Sequence, residues 1–254
     1  FRPLTARRRL SYAELVGPSE VQWFVSHFWG TPFAHFCEAL RSHAETVTSA
    51  SVRKSRLHEA IKGSASWREV SYWICFCSNN QYQLSDELGC CWSESSFYVT
   101  LQSGKCLGTC MVLDNLALPL TRSWCIFEVL QSLLLERGSG TDFAGLFLCT
   151  ASGVLNWGQG SVEVALGVVN RVATLDMEEA GASVEADKIM INTEVIKQMG
   201  SFDVMNSLVR NKLRAILTKA LRIHSPATTS TLRSRASEAA SLPLASMTDH
   251  NSGR

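Results

Sequence analysis

The chain has 254 residues, of which 46% are hydrophobic and 19% are charged, and its net charge at pH 7 is +1. This is the composition of a globular protein with enough chain to bury a substantial core, and so small a charge gives no overall field to attract nucleic acid or a membrane surface. No apolar run approaches the roughly 18 to 20 residues of a membrane span and no signal peptide opens the chain, so we expect a cytoplasmic protein without nucleic-acid or membrane partners.

The first predicted strand and helix follow residue 20. The apolar run VQWFVS, from Val21 to Ser26, is too short for a helix and is typical of a buried strand. Thr31 and Pro32 then provide a cap and a first-turn proline for a helix. The apolar stripe of that helix, which should face a sheet, consists of Phe33, Phe36, Cys37, Leu40 and Ala44.

A polar connection and a second strand come next. The segment from Ser49 to Ser66 is polar and ends in a Gly-Ser breaker, which predicts a solvated helix or a mobile connection. The run YWICFC, from Tyr72 to Cys77, is almost continuously apolar, as expected of a parallel strand buried on both faces. It ends at the polar turn 78–81.

Strands and helices then alternate. Helices are predicted at about 93–102, 122–135 and 161–169, and strands at 110–114, 145–149 and 171–175. Alternating units of this kind imply a parallel sheet with helices on both faces, and right-handed crossovers usually give five of them the strand order 2-1-3-4-5. The sequence therefore predicts an α/β fold of the flavodoxin-like three-layer type, with a five-stranded parallel sheet.

Two more helices and a tail complete the predicted organisation. Helical periodicity runs from Ala186 to Met199 and from Phe202 to about Leu221, and the residues after His224 have none. We expect an N-terminal linker (1–20), the α/β domain (21–176), appended helices that pack on it (177–223) and a disordered tail (224–254). Because the chain opens on Phe1 and not on methionine, we also expect it to be part of a longer protein.

The nine cysteines do not indicate a disulfide framework. Their number is odd and several lie inside apolar runs, so we interpret them as reduced core residues. No pair has the CxxC spacing that zinc sites favour, and we expect no metal site.

Candidate ligand-binding residues lie where the predicted strands end. In a doubly wound sheet, ligands bind beyond the carboxyl ends of the strands, near the point where strand order reverses. The residues that this rule selects are Ser26, His27, Trp29, Gly30, Asn79, Asn80 and Asp114. The start of the predicted helix 122–135 adds Arg122 and Trp124. His27 could equally cap its strand, and Asp114 could equally cap the turn toward Asn115. Residues 156–161 (NWGQGS) suit phosphate, but the chain has no GxGxxG or GxxxxGK[ST] motif, so we expect no bound cofactor.

Glu128 is the sharpest anomaly, because it is the only charged residue between Trp124 and Leu135. A carboxylate is costly to bury unless it is paired, its pKa rises in apolar surroundings, and such groups are common at functional sites. Trp124 and Gln131 share its helix face, so an indole, a carboxylate and an amide could converge on one cleft wall. Alternatively, Glu128 lies on a solvated stripe with Gln131 and Ser132 and pairs with Arg122.

Two segments resemble Toll/interleukin receptor (TIR) domains. WFVSHFWG resembles the first motif of that family, and CMVLDNLALPLTRSWCIFEVL resembles its third strand, loop and following helix, whose mark is Ser-x-Trp-Cys-x-x-Glu-Leu. Arg122 or Ser123, Trp124, Cys125 and Glu128 match this mark, with Val129 in place of leucine. The resemblance covers roughly Val21 to Leu175. The family's second motif, an Arg-Asp and Pro-Gly loop, is replaced by SNNQYQLSDELG, so the chain is a divergent TIR-like sequence.

The resemblance implies two classes of function. Some TIR domains cleave the nicotinamide-ribose bond of NAD with the helix glutamate. By this resemblance Glu128 would be the catalytic residue, and NAD, a nucleotide-type small molecule, would be a substrate rather than a cofactor. Nicotinamide leaves as a neutral molecule and needs no general acid, so one carboxylate can suffice while Trp29 or Trp124 stacks on a ring. Other TIR domains only assemble in signalling, and the alternative is a non-catalytic domain that binds itself or other TIR-like domains. The nucleoside deoxyribosyltransferases, which share this architecture, also use a glutamate at an N-glycosidic bond.

Overall fold

The structure is a computed structural model that describes residues 2–17, 19–49, 66–89, 91–138 and 142–224. Nearly all of the polar connection predicted between Ser49 and Ser66, and the tail predicted after His224, lie outside the described residues.

A five-stranded, mostly parallel sheet forms the centre of the fold. Its strand order is β2-β1-β3-β4-β5, which confirms the predicted α/β class and the order 2-1-3-4-5. The first four strands are parallel, and the fifth pairs antiparallel with the fourth. The strands are β1 (Trp23–Ser26), β2 (Tyr72–Trp73), β3 (Gly108–Val112), β4 (Leu146–Thr150) and β5 (Gly153–Val154).

The fifth strand differs from its predicted position. It follows β4 through the turn at residues 151–152 and forms a short hairpin, in which Gly153, the first residue of β5, has a φ of 141° that favours glycine. The segment predicted as the strand 171–175 instead extends the preceding helix to Ala173. Val172 lies one helical turn beyond Val168 on the same buried stripe, so helical periodicity governs this segment.

The second strand is shorter than predicted. Only Tyr72 and Trp73 pair with β1, and Cys75–Ser78 turns into a short helix. Ser78 Oγ accepts a hydrogen bond from the Ile74 amide at 3.2 Å, which supports the turn from strand to helix. An apolar run alone does not distinguish these two conformations.

The helices cover both faces of the sheet. They are α1 (Arg2–Thr5), α2 (Tyr12–Val16), α3 (Phe33–Val47), α4 (Cys75–Ser78), α5 (Leu84–Leu88), α6 (Ser96–Gln102), α7 (Ser123–Arg137), α8 (Val162–Ala173), α9 (Glu185–Met199) and α10 (Phe202–His224). Two of them, α1 and α2, fall within the predicted linker 1–20. Among the described residues, no helix is long and apolar enough to cross a membrane.

Successive side chains of each strand point to opposite faces of the sheet, so the core has one part on each face. Trp23 and Val25 face α3, together with residues of β3 and β4. On the opposite face, Met111 and Leu148 pack against α7, which in turn contacts α9 and α10. Because α7 lies between the sheet and these outer helices, its side chains are buried almost all the way round. This explains the apolar run of its sequence and places Glu128 in the interior.

The start of α7 is tied to the segment before α9. The Gly181 amide donates to Thr121 O at 2.9 Å, and the Ser123 amide donates to Gly181 O at 3.0 Å. Ser123 Oγ also donates to Ala180 O at 2.9 Å. These bonds bring residues 183–187 beside the carboxyl ends of the strands.

Candidate active site

A cavity of about 430 Å³ opens at the carboxyl ends of β1 and β2. The segments that line it are the loop after β1, the segments after β2, the first half of α7 and the beginning of α9. The predicted site residues on its wall are His27, Trp29, Asn79, Arg122, Trp124 and Glu128. The fold therefore brings most of the predicted residues together at the expected end of the sheet.

Glu128 lies in the wall of this cavity and is only 3% exposed. Removal from water raises the pKa of its carboxyl to about 8. The Ser26 hydroxyl faces the carboxyl and offsets part of this increase, although its geometry falls short of a full hydrogen bond. Within the part of the chain that the structure describes, Glu128 Oε2 has no hydrogen-bond partner. A buried acceptor of this kind is available to a ligand.

The alternative placement of Glu128 on a solvated stripe is not observed. Gln131 and Ser132 are buried as well, and each has a partner. Gln131 Nε2 donates to Gln198 Oε1 at 2.8 Å, so its amide is turned toward α9 and not into the cavity. Arg122 donates from Nη2 to Ser183 Oγ at 2.6 Å instead of pairing with Glu128.

Aromatic side chains form two parts of the cavity wall. Trp124 is half-buried, stacks on Phe97 with ring centroids 5.0 Å apart, and donates from Nε1 to Asp187 Oδ2 at 2.9 Å. Trp29 is 66% exposed at the rim. One indole is therefore held in a fixed orientation, and the other remains accessible to a ligand.

His27 is buried beside the cavity between two phenylalanines. Its ring contacts those of Phe36 and Phe76 edge to face, at centroid distances of 5.0 and 5.2 Å. Burial lowers the pKa of His27 to about 4, so the imidazole is neutral at pH 7. It cannot serve there as a charged acid.

The two cavity thiols are poor nucleophiles. Burial raises the pKa of Cys75 to about 12, and the nearby Glu128 carboxyl adds to the increase. Burial likewise raises the pKa of Cys125 well above its usual value. Because the thiolate is the reactive form, both side chains are inert at neutral pH.

The positive charge at the rim comes from Arg122. Its guanidinium lies over the Phe28 ring, 5.8 Å from the centroid, and one of its nitrogens bonds Ser183. Arginine in such a place suits a phosphate, since its planar fork donates several hydrogen bonds at once.

The other four predicted residues lie outside the cavity wall. Ser26 is buried beneath Glu128, and Gly30 packs so closely on Phe28 that a Cβ would come within 2.4 Å of its ring. Asn80 shapes a turn, accepting from the Tyr82 amide at 3.0 Å and donating to Arg9 O at 2.9 Å. Asp114 accepts hydrogen bonds from the amides of residues 116 and 118 at 2.9 and 3.1 Å and so caps its turn. Capping of the turn was the predicted alternative to a ligand-binding role for this residue.

Sequence reasoning did not find several residues of the wall. Asp187, Ser183 and Val184 come from the appended helical region, and Leu84 and Leu88 come from α5. None of them belongs to a motif, and only the tertiary contacts of α9 with α7 bring the first three to the cavity.

The chain matches no protein-family model, no curated protein and no solved structure. The chemistry of the cavity therefore has to be inferred from its geometry. It offers one buried carboxyl, one oriented indole and one exposed indole, a neutral imidazole and a guanidinium at the rim. This combination suits a small ligand with a planar ring, a carbon that becomes cationic and a phosphate.

Proposed function

We propose that this domain cleaves the N-glycosidic bond between nicotinamide and ribose in NAD, with Glu128 as the catalytic residue. The observation that carries the proposal is the buried carboxyl of Glu128, whose Oε2 lacks a hydrogen-bond partner among the described residues and which lines an aromatic cavity. A buried carboxylate without a partner lowers the stability of the folded state, and a cationic ligand beside it compensates that loss.

The charge of the substrate matters for the first step. With a pKa of about 8, Glu128 is ionised in only about a tenth of the free molecules at pH 7. The pyridinium of NAD, placed against the carboxyl, lowers this pKa and favours the ionised form. Binding the substrate therefore prepares the catalytic group.

The carboxylate then acts on the bond itself. As the bond between C1 of ribose and the pyridinium nitrogen breaks, the bonding electrons return to the ring and nicotinamide leaves neutral. The ribose becomes an oxocarbenium-like cation, which the Glu128 carboxylate stabilises or captures before water adds. No general acid is required, which agrees with a neutral His27 and protonated thiols.

The other residues bind and orient the substrate. Trp124 has an orientation fixed by Asp187 and Phe97, and the exposed Trp29 can stack on a second ring. Arg122 lies where it can contact the diphosphate. The cavity volume of about 430 Å³ is within the usual range of small-molecule sites.

The test is NAD consumption by the purified chain, fused to an oligomeriser so that a need for assembly is met. We expect the wild type to release nicotinamide and Glu128→Gln to lose at least about 100-fold in turnover, because glutamine keeps the volume but not the charge. Glu38→Gln, an exposed change on α3, is the matched control and should keep full activity. Equal turnover in wild type and Glu128→Gln would overturn the role of the carboxyl.

A second candidate function is assembly without catalysis, as a module that binds itself or other TIR-like domains. Val162, Leu166 and Val169 lie on one face of α8 and are 45%, 51% and 38% exposed, and Leu116 beside them is 63% exposed. If the wild type consumes no NAD but sediments as an oligomer that Leu166→Lys dissociates, then assembly is the function. The buried free thiols agree with a reducing compartment, and we propose the cytoplasm in either case.

A further inference from the structure

A second cluster of reactive side chains lies on the opposite face of the sheet. His43 of α3, Cys110 of β3 and Cys149 of β4 are completely buried, and their Nε2 or Nδ1 and Sγ atoms lie within 4.8 Å of one another. None of the three lines the Glu128 cavity. They take no part in the proposed reaction.

The hydrogen bonds of Tyr72 match one tautomer of His43. With the Tyr72 hydroxyl donating its proton to Leu40 O at 3.2 Å, its oxygen accepts from His43 Nδ1, which lies 2.8 Å away. In that tautomer, Nδ1 carries the proton. The lone pair of Nε2 is left facing Cys110 Sγ at 3.3 Å.

We propose that His43, Cys110 and Cys149 form a binding site for one thiophilic closed-shell metal ion, Zn²⁺ or Cu⁺. A neutral imidazole nitrogen and two sulfurs are the donors that such ions prefer. Protein metal sites commonly hold the imidazole by a hydrogen bond from its second nitrogen, and Tyr72 provides that bond here.

Charge balance favours zinc. Zn²⁺ bound to both sulfurs as thiolates displaces two protons and leaves the buried site neutral, whereas Cu⁺ bound in the same way displaces two protons and leaves one negative charge. A neutral result matters because the surroundings are apolar. The rings of Trp23 and Phe147 lie 4.5 and 5.9 Å from that of His43.

Burial of the three side chains also sets how the metal enters. An ion can reach them only while the chain folds or when α3 opens from the sheet, so uptake should be slow in the folded protein and fast during refolding. Once bound, the ion links α3 to β3 and β4 and should raise the melting temperature.

The test refolds the metal-free chain, under a reductant that does not chelate metals, with one equivalent of Zn²⁺ or Cu⁺ and then removes loose metal by gel filtration. We expect one retained ion per chain, with X-ray absorption showing two sulfurs at about 2.3 Å and, for zinc, nitrogen at about 2.0 Å. A pH indicator should report two protons released per bound ion. Wild-type protein that retains neither ion would overturn the proposal.

Three variants locate the ion. Cys149→Ser removes a ligand and should lower the affinity more than 100-fold, while Tyr72→Phe keeps the ring but frees His43 and should lower it about 10- to 100-fold. Cys106→Ser, a buried cysteine outside the cluster, is the control and should leave the affinity unchanged. If Cys149→Ser does not fold, the sulfur count of the wild type and the affinity of Tyr72→Phe decide the question. Unchanged affinity in Tyr72→Phe, with fewer than two sulfurs bound in the wild type, contradicts the assignment.

Discussion

Replacing Glu128 by glutamine should stabilise the protein in a pH-dependent way. Burial raises the pKa of Glu128 from 4.5 to about 8, so between these values the folded state holds a proton that the unfolded state has released. The carboxyl therefore lowers the free energy of unfolding as the pH rises through this window. At 1.36 kcal/mol per pKa unit, the loss is about 3 kcal/mol at pH 7 and about 5 kcal/mol above pH 8. Glutamine has no proton to release and avoids this loss.

The assay is urea unfolding of the wild type and of Glu128→Gln at several pH values from 5 to 9. The difference between their free energies of unfolding should grow by about 3 kcal/mol from pH 5 to pH 8, because other titrating groups are common to both proteins and cancel. A difference for Glu128→Gln that is constant over this range would refute the reasoning, since it would mean that the carboxyl ionises as it does in water.

The pH dependence of turnover should follow the ionisation of the same carboxyl. Initial rates measured across the pH range should show kcat/KM for NAD rising about tenfold per pH unit up to about pH 8 and then levelling off. The pKa of His27 is lowered from 6.5 to about 4, so its contribution to stability is present above pH 6.5 and is lost as the pH falls toward 4. Relative to His27→Gln, the wild type should lose about 2 kcal/mol between pH 7 and pH 5 in urea unfolding. Trp124→Phe removes the bond to Asp187 and should raise the KM for NAD about tenfold with little change in kcat, whereas Trp67→Phe, which lies outside the cavity, should change neither.

Much of the fold could be predicted because the spacing of apolar residues in the sequence indicates which side of each helix or strand faces the core. The apolar runs of β1, β3 and β4 and the stripe from Phe33 to Ala44 identify their elements directly. Two members of that stripe, Phe33 and Cys37, are exposed, because the buried face of α3 runs through Phe36, Leu40 and Ala44 and continues to Val47. The errors occur where an apolar run suits two conformations. Cys75 begins a helix although it continues the run of β2, and Val172 belongs to a helical stripe although its neighbours suit a strand.

The candidate site was predictable to a similar extent. Glu128 stands out because a single charge interrupts a long apolar run, and that run is buried since α7 lies between the sheet and the outer helices. Asp187 gives no such signal, because it is an ordinary acidic residue in the first turn of α9. The cluster of His43, Cys110 and Cys149 was missed for the same reason: three separate elements supply it, and the CxxC test examines only neighbours in sequence.

The environment of α7 distinguishes the carboxyl of Glu128 from the other buried polar groups of that helix. Ser132 and Gln131 are as buried as Glu128, but Ser132 Oγ bonds Thr109 Oγ1 at 2.7 Å and Gln131 bonds Gln198. Their burial is compensated within the fold, whereas Glu128 Oε2 has no such partner in the described chain. A domain is stable by only about 5 to 15 kcal/mol, so a cost of about 3 kcal/mol at pH 7 is large, and a leucine or methionine of similar size would avoid it. Among the described residues Oε2 has no compensating partner, and a cationic ligand in the cavity would supply one, which is the physical reason to test the cavity for ligand binding.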